Sequence, residues 1–409
     1  WQLEAHEHED DLPTTIERTH TLICDAARRQ LVSDVPLACF LSGGLDSSIL
    51  SMLAAKDYAA RGETLHTWSV DYRDNDKYFT KSIFQPNSDD SYIDQMVDFL
   101  GTHHHRVVLE PEALCAALLP ATDARALPGM ADVDSSLLLF CAAVKRGGTT
   151  VCLSGECADE LFGGYPLYRQ AVWAERWQKM PRAVRRALAA LLPGCGLLHR
   201  GALPRWQRSA RANYVFETTQ ERDKYLKRDY CAPTPAQRCK PYFDAVRGLD
   251  EPTAVQWVDW QTWLPRDILR KADRMSMAHS LELRVPFLDR QVLAAAQALP
   301  RRDRCTGRRG KIALRAAAAR RLPPQLADAP KRGFPVPLAD WLRQEKYYAL
   351  VKAKLTGPVA ERFFDTGALC ALLDAHRAGK TNAMTKLWAF YCFIEWYEVY
   401  FTGKIPPDL

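Results

Sequence analysis

Pro36-Leu37-Ala38-Cys39-Phe40-Leu41-Ser42-Gly43-Gly44-Leu45-Asp46-Ser47-Ser48 decides how this chain is read. The mostly apolar run ending in Leu41 has the pattern of a strand buried in a parallel sheet. Ser42-Gly43-Gly44 breaks it, and from Ser47 to Ala55 the apolar residues return at helical spacing. A strand that turns through two glycines into a helix leaves bare N–H groups at the helix N-terminus. With the helix dipole, those groups form an anion site suited to phosphate. Glycine lets the backbone approach the oxygens without a Cβ clash. A plain Gly-Gly turn with a capping serine would not need Asp46 and two further serines.

The loop is not a Walker motif, which requires G-x-x-x-x-G-K-[ST]. The stretch Gly307-Arg308-Arg309-Gly310-Lys311-Ile312 fails at its glycine spacing and at its last position. Ser42-Gly43-Gly44-Leu45-Asp46-Ser47 instead resembles the pyrophosphate loop (PP-loop) of the ATP pyrophosphatases. That resemblance implies serines and N–H groups on pyrophosphate, with the aspartate helping to hold Mg²⁺.

Outward from the loop, further segments fall into register. Helical periodicity covers Thr14–Val32, and β-type runs follow at Thr67–Tyr72, Arg106–Leu109 and Thr149–Leu153. Helices are expected over Tyr92–Leu100, which closes at Gly101, and over Ser135–Val144. The alternation predicts an α/β fold, a doubly wound parallel sheet, continued by a mainly helical C-terminal half. Ligands bind such sheets at the carboxyl ends of the strands. The Ser42 loop and Ser154-Gly155-Glu156 both sit there and are expected to line one crevice.

At 409 residues, with 47% hydrophobic and 25% charged residues, the chain suits a globular protein of two or three units. A net charge of +6 fits an anionic small molecule and does not argue for nucleic acid. The twelve cysteines include no C-x-x-C pair and lie mostly in apolar surroundings, which argues against structural zinc and for a reducing, cytoplasmic setting. No apolar run reaches membrane-spanning length, so no membrane partner is expected. His103, His104 and His105 are consecutive and point in different directions, which argues against a shared metal. Arginines scattered through 172–212 read as a solvated helical face whose stems cover apolar surface. The aromatic stretch from Lys386 to Phe401 reads as a helix docked on the core.

Three more constellations carry chemistry. Ser154-Gly155-Glu156-Cys157-Ala158-Asp159-Glu160-Leu161-Phe162-Gly163-Gly164 crowds three carboxylates at a strand end, which is costly without a compensating cation. Asp159 with Asp46 suits Mg²⁺ on ATP phosphates, leaving Glu156 as a candidate base. Leu264–Ala278 with Leu281–Asp289 is dense in alternating charges. So is Ala329-Pro330-Lys331-Arg332-Gly333-Phe334-Pro335-Val336-Pro337, preceded by Gly310–Arg315.

Together the four motifs resemble the synthetase domain of glutamine-dependent asparagine synthetases of the class B type, from about Thr14 to Trp396. The resemblance implies the adenine nucleotide alpha hydrolase-like, PP-loop fold. It also implies adenylation of the aspartate side chain by ATP with Mg²⁺, then displacement of AMP by ammonia. It would set Leu41, Val70, Ser154 and Gly155 against adenine and ribose. Ser42, Gly43, Gly44, Asp46, Ser47 and Lys331 would hold the phosphates, and Asp46 and Asp159 the metal. Lys331 would steady charge as pyrophosphate leaves, and Glu156 would take a proton from ammonia. A glutamate at position 156 favours ammonia over an internal amine, because ring-closing relatives place another residue there. Pro128–Ser136, before a helix near the presumed site, is a further candidate for binding aspartate, although its acids would repel that substrate.

The expected organisation is a linker over 1–13, an ATP-binding core over 14–171, a helical Arg-rich insertion over 172–255 and a helical remainder over 256–409. Trp1 opens on what resembles the linker behind a glutaminase domain, so such a domain is expected in the full-length chain. The reading allows a homodimer. The alternatives are a relative that closes a lactam or macrocycle, and an inactive scaffold or nucleic-acid-binding protein. The last would not need Asp46, Glu156, Asp159 and Lys331 together.

Overall fold

The computed structural model describes residues 7–73, 90–129, 133–191, 203–208, 216, 219–329 and 338–403. Its centre is a five-stranded, wholly parallel sheet of β1 (Leu37–Phe40), β2 (His66–Tyr72), β3 (His103–Leu109), β4 (Val151–Leu153) and β5 (Glu282–Arg284). The spatial order is β3-β2-β1-β4-β5. Four strands stand where the periodicity put them, with ends shifted by up to three residues. The fifth comes from the charged motif at 281–289, which carries too short an apolar run to announce a strand.

The strand order reverses between β1 and β4, and a crevice opens at such a point beyond the strand ends. β1 leads through Leu41–Gly44 into helix α2 (Leu45–Ala60), and β4 leads through Ser154–Cys157 into a short helix, Ala158–Phe162. Helix α1 (Leu12–Gln30) precedes β1, with the Asp11 carboxylate accepting from the Thr14 N–H at 2.9 Å as its N-cap. It buries Ile23, Ala26 and Ala27 toward the core. The acidic segment before it is docked, since the His8 N–H donates to the Ala298 carbonyl at 2.8 Å.

On the other face, α3 (Leu118–Arg125) and α4 (Asp134–Arg146) pack against α5 (Leu269–Met277). A π-helical turn, Leu264–Ile268, feeds α5, with the Leu269 N–H reaching back to the Leu264 carbonyl. Pro265 supplies no N–H there, and such widened turns recur beside functional sites. The closing aromatic stretch forms α6 (Met384–Thr402), burying Leu387, Trp388, Phe390 and Ile394.

The histidine run lies on β3 at the sheet edge. His104 is tied to Thr67 Oγ1 at 3.0 Å and Ser69 Oγ at 2.9 Å, while His105 stacks on Trp68. Among the described residues no helix is long and apolar enough to cross a membrane.

Candidate active site

The Ser42 loop is held by its own side chains. Ser47 Oγ accepts from the Ser42 N–H at 3.1 Å, contacts Ser42 Oγ at 3.0 Å and donates to the Gly44 carbonyl at 3.2 Å. Gly43 has φ +68°, in the left-handed region that glycine enters without Cβ strain. The N-cap of α2 is Gly44, whose lack of a side chain leaves the first-turn N–H groups open for an anion.

The β4 loop presses directly on this one. A Cβ on Gly155 would stand 2.6 Å from the Ser47 nitrogen, so only glycine permits the approach. One cavity of about 240 Å³ results, lined by Leu41, Ser42, Asp46, Ser47, Val70, Ser154, Gly155, Glu156 and Asp159, with Phe40, Trp68, Phe140 and Lys271 also in its wall. A larger hollow of about 700 Å³, beside Glu175, Arg185 and Arg205, shares none of these residues and lies near chain outside the description.

The crowded carboxylates have found a cation. Lys311 Nζ lies 2.5 Å from Asp46 Oδ2 and 2.7 Å from Asp159 Oδ1. Burial opposes the charge on Lys311, but the two carboxylates outweigh it and hold the ammonium protonated. Asp46 and Asp159 thus converge on one point beside the Ser42 loop. Hard oxygen donors there suit Mg²⁺, which takes carboxylates together with phosphate oxygens. The residues fit the metal, provided that Lys311 releases them, and the lysine is then free for a phosphate.

Glu156 lines the same cavity. Burial pushes its proton affinity up, and Lys271, with Nζ 3.7 Å from Glu156 Oε1, works against that. Glu156 Oε2 is buried and has no hydrogen-bond partner among the described residues. A carboxylate so placed can take a proton from a group bound in the cavity.

Behind Lys271 stands a buried network. Arg125 Nη1 contacts Asp134 Oδ1 at 2.8 Å, and Arg125 Nη2 contacts Asp267 Oδ1 at 2.7 Å. Asp134 belongs to the segment whose acids were expected to repel an acidic substrate; Arg125 neutralises it. Burial opposes the Arg125 charge, and the two aspartates more than offset it.

The structure therefore brings eleven of the twelve sequence-predicted residues to two abutting loops and the cavity between them. Gly43 and Gly44 shape the loop without lining the cavity. The twelfth, Lys331, lies outside the described residues. Lys311, Lys271 and Arg125 went unassigned in the sequence reading. The first two sit inside quoted motifs, and only the fold shows which carboxylates they face.

The model of the asparagine synthase family matches residues 18–398. The chain belongs to that family. It is 37% identical over 336 residues to asparagine synthetase [glutamine-hydrolyzing] 3 of Bacillus subtilis strain 168, covering 82% of this chain and 50% of that protein. To asparagine synthetase [glutamine-hydrolyzing] 1 of the same organism it is 31% identical over 402 residues, covering 96% of this chain and 61% of that protein. The chain thus spans about half to three-fifths of the length of these relatives.

Proposed function

We propose that this chain carries out ATP-dependent synthesis of asparagine, with aspartate as acid and ammonia as nucleophile. One observation supports the reading: a single cavity is lined both by a glycine loop whose aspartate is paired with Lys311 and by a half-buried glutamate with an oxygen unpartnered among the described residues. Phosphate recognition and proton removal are then parts of one site.

ATP sets its phosphates on the N-terminus of α2 and on Lys311, with its base between Leu41, Val70 and Ser154. The side-chain carboxylate of aspartate attacks the α-phosphorus, an acyl–phosphate bond forms, and the bond to pyrophosphate breaks. Ammonia then attacks the acyl carbon, Glu156 accepts a proton from it, and AMP leaves with the acyl oxygen. Asp46 and Asp159 would hold Mg²⁺, which when bound draws charge from the phosphate oxygens. Lys331 is assigned to charge stabilisation from its Pro330-Lys331-Arg332-Gly333-Phe334 motif. The names of the relatives support a glutamine-hydrolysing region in the full-length protein as the source of ammonia, and the family supports a cytoplasmic setting.

The test is pyrophosphate release from ATP and Mg²⁺, with aspartate and ammonium each present or omitted. Release that requires aspartate, with asparagine appearing once ammonium is added, is the expected result. Asp46→Ala should abolish release. Glu156→Gln should leave adenylation intact and slow amide formation by roughly 10²–10⁴-fold, the usual share of a positioned base. An unchanged amide yield in Glu156→Gln would remove the assignment of the base.

A further inference from the structure

Lys271 is a desolvated ammonium in the wall of the cavity, beside Glu156. Its side chain is 11% exposed, and its one ion pair among the described residues is the contact with Glu156 at 3.7 Å. That distance is too long for a direct hydrogen bond, whereas an ammonium carries three donors. The other acids nearby are already engaged. Asp134 and Asp267 are fastened to Arg125, and Glu160 Oε1 accepts from the Tyr165 hydroxyl at 2.5 Å. Burial opposes the charge on Lys271, but the surrounding carboxylates outweigh it, so the group stays cationic, with donor capacity unfilled among the described residues.

We propose that Lys271 binds the free α-carboxylate of the amino acid whose side-chain carboxylate is activated, which makes it a specificity-determining residue of the site. The inference rests on the functional reading above. The geometry suits it: the acyl carbon must lie between the α-phosphorus and Glu156, so the unreacted end of the acid falls toward the Lys271 wall. The charge balance suits it too. Arg125 and Lys271 face Asp134, Asp267, Glu156 and Glu160, two negative charges in excess, which repels a bare anion. An α-amino acid brings an ammonium beside its carboxylate and meets both signs.

The test is ATP–pyrophosphate exchange with the full-length protein and Mg²⁺, comparing aspartate with β-alanine. β-Alanine keeps the reacting carboxylate, the carbon skeleton and the amine, and lacks only the α-carboxylate. Lys271→Met should raise the KM for aspartate roughly 10- to 100-fold, the scale of a lost charge-assisted contact, with the KM for ATP and the weak response to β-alanine unchanged. Lys271→Arg should restore part of the preference, and Lys271→Gln gives the same comparison if the Met variant does not fold. A neutral variant that keeps the wild-type preference for aspartate over β-alanine would overturn the proposal. So would one with normal exchange and only slowed amide formation, because Lys271 would then serve Glu156 alone. Absence of aspartate-dependent exchange in the wild type is a separate result, which removes the functional reading itself.

Discussion

Two residues at the site hold backbone conformations that side chains resist. Cys157, next to Glu156, has φ +74°, and Lys311 has φ +56°. Left-handed geometry costs a non-glycine residue roughly 1–2 kcal/mol, and the surrounding structure must impose it. At Lys311 the twist delivers the ammonium to Asp46 and Asp159, so the strain and the buried ion pairs share one residue. At Cys157 it turns the chain sharply from β4 into the following helix, with the thiol buried and pushed to high pKa by that burial. Cys157→Ala and Cys157→Gly lose the same buried thiol, but only glycine relieves the strain. The glycine variant should be the more stable of the two by about 1 kcal/mol in urea unfolding. Coincident midpoints would show that the turn is not strained.

At the scale of elements, β3 closes one edge of the sheet, and His104 holds it to β2. Burial, with Arg106 and His105 adding to it, lowers the proton affinity of His104 from the ordinary 6.5 to about 4. The folded state therefore binds the proton less tightly than the unfolded chain does. The stability from neutral His104 is present above about pH 6.5 and is lost progressively as pH falls through 4. Unfolding midpoints of wild type and His104→Asn, measured between pH 8 and 4, should converge toward the acid end, with the variant changing less. Parallel curves would mean that His104 is not the acid-sensitive group. The elements also show where periodicity was legible. β1 to β4 carry β-type runs, while Glu282–Arg284 is a strand because β4 offers it an edge, not because its residues alternate.

At the scale of the molecule, the C-terminal half completes the N-terminal one. The largest apolar cluster joins Ile23, Leu41, Ile49 and Leu50 to Trp260, Leu264, Phe287, Leu293 and Leu314. β5 covers the open edge of β4, and Lys311 neutralises the acids of the two cavity loops. A chain ending at Thr262 would leave that edge bare, the core incomplete and two half-buried carboxylates facing each other. It should show no cooperative unfolding transition by circular dichroism. A soluble fragment with a sharp transition would contradict this account of the core.

The sequence by itself determined the strand–glycine–helix loop, the parallel sense of the first four strands and the placing of the acids at strand ends. These follow from local rules: glycine where backbone must approach, apolar period where a strand is buried, acids in a short run at a turn. Tertiary structure alone decided which cations answer those acids. Lys311 lies 265 residues from Asp46 in sequence, and Arg125 lies 142 from Asp267. No local pattern encodes such distances, because a buried ion pair is selected by geometry and desolvation once the chain has closed.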